Sequence, residues 1–419
     1  MSGQYLPSSY CLKFNTWPLT TNKKHFTPYR KYKYQKQHYP LLMGTTPWKF
    51  EAKPMSLMFE PLTGFTTKNV GRLLVQNKFR LGPLYLPRFI YATTMGTILS
   101  PLRIRESRQY KEIIEQTQIK EDPLFLLGHW RSGTTFLHNL MSLDPNFGYC
   151  TTYHTVIPEA FLASEKITRP LVESSLPPTR PQDNVELHPD TPQEEEYALG
   201  ALSPYSFYNG WIFPQNMNFY YRCVTFKDTP AYIEEEFKKT YSYFLKKITL
   251  YNKGKRLVLK NPSNTARIKQ LLELYPNSQY VNLIRNPYTL YVSMMRFVQI
   301  TIPLYSVQSH PSIEQAEEEM IQLYADMYQN YLNQRNSIPN ENLVEIKYEE
   351  LAAKPKETIE QIYKDLNLKS YDKAKQQILK HIDSQKNYKT NKKMQLSDDI
   401  KDKLSKRWAH VFKAFDYET

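Results

Sequence analysis

Cysteine is scarce: Cys11, Cys150 and Cys223 are the only three in 419 residues, widely spaced and without a C-x-x-C pair. A disulfide framework and a cysteine-built zinc site are therefore excluded. Glycine is also low, at 12 residues against 29 prolines, which excludes a collagen-like or low-complexity chain. No long run of uncharged apolar residues occurs. The nearest, Leu84 to Leu99, is broken by Pro87 and Arg88, so a membrane-spanning helix is not expected. No apolar stretch follows the first charges, which argues against a secretory signal and for a cytoplasmic protein. Acidic residues are missing before Glu51. Lys13, Lys23, Lys24, Arg30, Lys31, Lys33, Lys36 and Lys49 give this segment +8 of the net +14.

The rest is ordinary globular material, with 41% apolar, 14% aromatic and 23% charged residues. The chain divides into a basic, aromatic-rich tail (1–50), a helical extension (51–120) and a main domain (121–419). The tail reads as a solvated segment or as an arm making peripheral membrane contact. From Asn69 to about Gln118 the apolar spacing is helical. The apolar run Leu124 to Leu127, bounded by Pro123 and Gly128, reads as a buried parallel strand. Strand–helix alternation returns with Leu257–Leu259 and a helix Thr265–Tyr275, then Tyr280–Ile284 and a helix Thr289–Val298. Leu343–Ile346 and a helix Thr358–Leu366 complete it. The fold class is therefore α/β: a P-loop-like, three-layer fold with a central parallel sheet flanked by helices, plus the N-terminal helical extension. A long insertion at about 145–250 separates the first strand from the next and is placed to wall a pocket at the carboxyl ends of the strands.

Gly128-His129-Trp130-Arg131-Ser132-Gly133-Thr134-Thr135 follows a strand and opens a helix, and its glycines keep the G-x-x-x-x-G spacing of a phosphate loop. Thr134 stands where the lysine that reaches β- and γ-phosphates belongs, and the cation has moved inside the loop as Arg131. This suits a donor with one phosphate carrying one transferable group. A second candidate anion site is Arg285-Asn286-Pro287 at a strand end with Ser293 in the following helix, a guanidinium and a hydroxyl able to grip one phosphate.

The R-S-G-T-T loop after a strand, with R-N-P and a serine eight positions beyond its arginine, resembles the sulfotransferases that use 3′-phosphoadenosine 5′-phosphosulfate (PAPS). GHWRSGTTFLHNL and PQEEEYAL are most similar to the bacterial branch. The resemblance runs from about Pro123 to Tyr417 and takes in the helical extension after Leu62. It implies a P-loop-like fold and transfer of a sulfuryl group from PAPS to a hydroxyl or amine, with Arg131, Ser132, Gly133, Thr134 and Thr135 on the 5′-phosphosulfate. Arg285 and Ser293 fall on the 3′-phosphate. Arg131 then faces the bridging oxygen, and Lys260, in LVLKNP, matches the family's K-x-P segment facing the sulfuryl group.

Fixed cations of this kind can serve sulfuryl transfer without a metal. The base is less determined. The histidine of the cytosolic branch falls at Asn261-Pro262, and the glutamate of tyrosylprotein sulfotransferases at Thr151-Thr152. His154, His188, Glu194, Glu195 and Glu196 remain, and Glu194 is preferred, then Glu196, then His188. The segment Lys347-Tyr348-Glu349-Glu350-Leu351 resembles a family segment read as structural, with Glu349 a buried partner or helix cap. The family's C-terminal R-K-G clamp is absent, with Lys389, Lys392 and Lys393 as conceivable substitutes.

The acceptor is expected to be a small molecule, lipid or glycan, and no nucleic acid is expected as partner. Two other readings compete. A P-loop kinase needs the missing lysine and an acidic strand end for Mg²⁺, but Leu343–Ile346 runs into Lys347. A membrane-surface or nucleic-acid adaptor rests on the basic tail and leaves the phosphate loop without a task.

Overall fold

Short, largely apolar runs become four strands of four to six residues, and a two-residue strand joins them at the edge of one sheet. In the computed structural model these are β1 (Leu124–Leu127), β2 (Phe147–Gly148), β3 (Arg256–Lys260), β4 (Gln279–Ile284) and β5 (Leu343–Lys347). The structure describes residues 48–50, 61–180, 185–385 and 395–419. The tail (1–47), part of the extension and Lys389, Lys392 and Lys393 thus lie outside the described residues.

All strand pairs are parallel, in the order β2-β3-β1-β4-β5. The chain leaves β1 for one side of the sheet and returns for the other, so β1 lies between β3 and β4. Crevices open at the carboxyl ends of strands where the order reverses in this way. Alternation of side chains divides the core. Leu124, Leu126, Val258, Val281 and Leu283 pack to one face, and Phe125, Leu127, Leu257, Leu259, Tyr280 and Ile284 to the other.

The helices, in chain order, begin with α1 (Thr67–Gln76), α2 (Leu86–Ile98) and α3 (Ser100–Gln116) of the extension. After β1 comes α4 (Thr134–Met141). The insertion holds α5 (Thr152–Val156), α6 (Phe161–Ser175), α7 (Glu195–Leu202), α8 (Asn209–Ile212), α9 (Met217–Thr225) and α10 (Ala231–Tyr251). α11 (Ile268–Leu274), α12 (Pro287–Tyr305), α13 (Ile313–Gln334), α14 (Tyr348–Ala353), α15 (Pro355–Asp365), α16 (Tyr371–Ser384), α17 (Asp398–Arg407) and α18 (Ala409–Ala414) follow. α4 and α14 to α16 cover one face; α10 to α13, α17 and α18 cover the other.

The extension is held against the insertion. Asn69 donates to the carbonyls of Gly200 and Ala201, both at 2.9 Å, and Leu73, Phe89 and Ala92 share a small core with Ile212, Phe213 and Tyr220. Buried Glu106 of α3 pairs with Lys247 of α10 and accepts the N–H groups of Leu162 and Ala163 that open α6. One carboxylate thereby ties three helices and caps one of them.

One predicted element differs in kind. The helix expected at Thr265–Tyr275 is a 3₁₀ turn, Pro262–Ala266, followed by α11, because Asn261 accepts the N–H of Ser263 and closes a tight turn first. Among the described residues the extension holds three α-helices, with breaks at Gly82-Pro83 and between Ile98 and Ser100.

Candidate functional site

The loop after β1 depends on its glycines. Gly128 has φ 135° and Gly133 φ 99°. A Cβ at Gly128 would meet the Leu283 carbonyl oxygen at 2.5 Å, and one at Gly133 would enter the Tyr348 ring at 2.3 Å. Arg131 is left-handed too, at φ 71°, a conformation that costs an arginine roughly 1–3 kcal/mol. Internal bonds hold the turn. The Ser132 hydroxyl donates to the His129 carbonyl at 2.7 Å, and Gly128 N–H donates to Thr265 Oγ1 at 2.8 Å. The Ser132 hydroxyl proton thus shapes the loop itself. α4 then starts at Thr134, with its N-terminal end at the loop.

The second motif meets the first. Asn286 caps α12 by accepting the N–H groups of Tyr288 and Thr289, and Pro287 takes the first helical position, where no N–H is needed. Arg285 donates to the Arg131 carbonyl at 2.9 Å and to Thr289 Oγ1 at 3.2 Å, with its guanidinium 4.6 Å above the Tyr348 ring. Arg131 Nε reaches Ser293 Oγ at 3.2 Å. Burial is the leading cause that lowers the Arg285 pKa; Arg131 nearby adds to it, and Tyr348 and Glu349 oppose it. Both anion candidates thus face one crevice at the ends of β1 and β4.

On the other side of β1 stands Lys260, which ends β3 and is 1% exposed. Its ammonium is bonded to Glu194 and lies 3.4 Å from Thr135 Oγ1. Burial lowers its pKa and Glu194 opposes that shift. Glu194 precedes α7 but makes no cap bond, so its carboxylate is turned to Lys260 and to the Tyr208 hydroxyl. The same hydroxyl accepts from Trp130 Nε1 at 2.9 Å, and the Tyr208 ring stacks on Trp211 at 4.0 Å. A continuous polar path therefore runs from the loop through Lys260 and Glu194 to Tyr208.

Tyr208 also lines a cavity of about 360 Å³. Its walls come from the extension (Phe65, Tyr91, Met95, Leu99), α6 and α8, with Arg180 among the few charges. The charge of Arg180 bears on Lys260, Tyr197 and Tyr305.

Glu196 and His188 do not join this site. Glu196 is fully buried and spent on Arg267, Asn261 and Ser206, with the Phe207 N–H at 3.0 Å. Its pKa is depressed: burial raises it, and Arg267 with the hydrogen bonds outweighs that. It fixes the insertion to the segment after β3. His188 is exposed, near Glu173 and Asp190. His154 is buried and serves α5 as half of a capping box with Thr151, its pKa lowered to about 3 by burial and the nearby cations. Glu195 lies below the site, accepting the Lys260 N–H at 3.1 Å; burial pushes its carboxyl up to about 8. Glu349 is exposed rather than buried, accepting the Asn286 N–H and the Tyr417 hydroxyl.

Sequence reasoning places Tyr348 in a segment read as structural without showing it as the platform beneath Arg285, and it does not reach Arg180 at the cavity. Each acts through a fold contact distant in sequence. Among the described residues no cluster of histidine, cysteine or carboxylate side chains is arranged to hold a metal ion.

The chain is similar to known proteins. A model of the sulfotransferase family matches residues 123–373, more than half of the chain. The chain is 26% identical over 350 residues to the omega-hydroxy-beta-dihydromenaquinone-9 sulfotransferase Stf3 of Mycobacterium bovis, covering 83% of this chain and 88% of that one, and equally to its Mycobacterium tuberculosis counterpart. Among solved structures it superposes on the sulfotransferase STF1 of Mycobacterium tuberculosis with a TM-score of 0.58 at 19% identity, over 84% of this chain and 94% of the other. For STF9 of Mycobacterium avium the TM-score is 0.53 at 16% identity, over 88% and 94%. With its phosphate loop, its parallel sheet and a family match through the whole nucleotide-facing core, the chain belongs to the sulfotransferase family and is a sulfuryl-transferring enzyme.

Proposed function

We propose that the protein transfers the sulfuryl group of PAPS to the hydroxyl of an apolar, lipid-like alcohol. Fit to the donor is supported by the left-handed backbone at Gly128 and Gly133, where any side chain would strike the Leu283 carbonyl or the Tyr348 ring, and by the Arg285 guanidinium, which donates to the Arg131 carbonyl and the Thr289 hydroxyl at the same loop. The 5′-phosphosulfate lies over the N-terminal end of α4 with Arg131, Thr134 and Thr135, and the 3′-phosphate meets Arg285 and Ser293.

The observation that carries the reading is the position of Glu194, bonded to Lys260 on the donor side and to Tyr208 at the cavity wall. The acceptor hydroxyl enters from the cavity, gives its proton to Glu194, and its oxygen attacks sulfur as the bond to the bridging oxygen breaks. Adenosine 3′,5′-bisphosphate leaves, its charge met by Arg131 and Lys260. Lys260 exchanges Glu194 for the sulfuryl oxygens when the donor arrives, which frees the carboxylate to act as base. The apolar walls supported by Phe65, Met95 and Leu99 suit a hydrocarbon, and the mycobacterial relatives are named for an ω-hydroxylated menaquinone.

Glu194→Gln tests this. Calorimetric titration should give unchanged affinity for adenosine 3′,5′-bisphosphate, while transfer of labelled sulfate to a pool of long-chain alcohols falls at least about 100-fold. Wild-type transfer rates in this variant would move the base elsewhere.

A further inference from the structure

A helix on the surface of a soluble protein ordinarily turns a charged face to water. α2 does not. Its one charge, Arg88, is buried, whereas Leu86, Ile90, Tyr91 and Ile98 are exposed beside Thr94 and Thr97. The turn leading into α2 adds Phe79 and Leu84, 66% and 83% exposed. The chain around this face is mainly cationic. Between Pro61 and Lys111 the single acid, Glu106, is buried on Lys247; Arg88 is buried, Arg72 pairs with Glu236 and Arg103 with Glu159, and Lys68, Lys78, Arg80, Arg105, Arg108 and Lys111 stand exposed.

The same face borders the cavity. Tyr91 and Met95 of α2 line it, and opposite them so does Leu171 of α6, itself 56% exposed. Apolar side chains open to the outside therefore continue into the apolar cavity that ends at Tyr208 and Glu194. Scattered exposed leucines need no explanation, but an uncharged helix face, a cationic border and a shared cavity mouth in one place do.

We propose that α2, the turn before it and Leu171 form a docking face for an anionic lipid bilayer, from which the acceptor passes into the cavity without crossing water. The passage rests on the lipid-alcohol reading above; the docking does not. Exposed apolar side chains enter the headgroup boundary and the flanking lysines and arginines meet anionic lipid. A second copy of the chain is a poorer occupant, since twofold pairing would set these cations against their own counterparts.

The test is sedimentation of the full chain with vesicles, either phosphatidylcholine alone or phosphatidylcholine with 30% phosphatidylglycerol. The expected result is binding to the anionic vesicles that weakens with salt. The Leu84→Asp/Ile90→Asp double variant, altered only at exposed sites outside the cavity, should lose about tenfold or more of that binding. Titration with adenosine 3′,5′-bisphosphate should be unaltered, which shows that the variant is folded. Equal vesicle binding by variant and wild type would overturn the docking face and leave the basic tail as the membrane contact. A dimer at the same concentration that the double variant dissolves would overturn it too, making the face a self-interface. Neither result touches the sulfuryl-transfer reading, which fails only if the nucleotide does not bind.

Discussion

The proposed transfer gives two arginines unequal roles. Arg131 is held left-handed inside the loop, so its side chain projects from a turn rather than from a helix face. Arg285 reaches that turn from the next strand and bonds its carbonyl. Arg131→Ala should abolish turnover in a labelled-sulfate assay with PAPS as donor. Arg285→Ala should chiefly weaken nucleotide binding, by roughly 10- to 100-fold in calorimetric Kd if one charge-assisted bond is lost. Unchanged affinity in the second variant would remove Arg285 from the nucleotide.

Glu195 makes a separate prediction. Its carboxyl titrates at about 8 in the fold against 4.5 ordinarily, with burial as the leading cause. The folded state therefore keeps a proton that the unfolded chain gives up. The associated stability is complete below pH 4.5 and is lost as pH rises through 8, by about 1.4 kcal/mol per unit within that window. Glu195→Gln, which mimics the protonated form, should flatten the fall in Tm between pH 5 and pH 8.5. Parallel curves for variant and wild type would contradict the assignment.

The elements whose sequences obey a single rule are those the sequence makes legible. Leu124 to Leu127 is a strand with the boundaries its four apolar residues imply, and Asn286-Pro287 starts a helix where an N-cap and a first-turn proline belong. The acidic trio after Gln193 shows the limit of such rules. All three stand open in the sequence as candidates for the base, yet Glu194 turns to Lys260, Glu195 is buried beneath it and Glu196 is spent on Arg267. Only contacts 65 to 71 residues apart in sequence separate these fates.

The joint of α3, α6 and α10 is another product of tertiary contact. Lys247→Ala would leave Glu106 buried without its partner, and denaturant unfolding should show a loss of about 3–5 kcal/mol. A loss below about 1 kcal/mol would mean that the pair is not what holds these helices.

At the scale of the molecule, the sulfuryl-transfer core and the acceptor side are read very differently from sequence. The core is carried by two short motifs with backbone geometry built into them. The apolar cavity instead assembles from the extension, α5, α6 and the segment after it, α7, α8 and the end of α12, regions with no local signal in common. Its apolar character could be guessed from Tyr197, Tyr208 and Trp211, but the meeting of Tyr208 with Glu194 could not. No helix among the described residues is long and apolar enough to cross a membrane. The proposed contacts with a hydrocarbon rest instead on the cavity and the exposed face of α2.

The account depends on a single nucleotide bridging the loop at Arg131 and the arginine at 285. Calorimetric titration of the wild-type protein with adenosine 3′,5′-bisphosphate, ADP and ATP examines that directly. The prediction is one site per chain, with the bisphosphate bound at least about tenfold tighter than either competitor, since only it carries a phosphate for Arg285 and Ser293. ADP or ATP binding as tightly as the bisphosphate would contradict it.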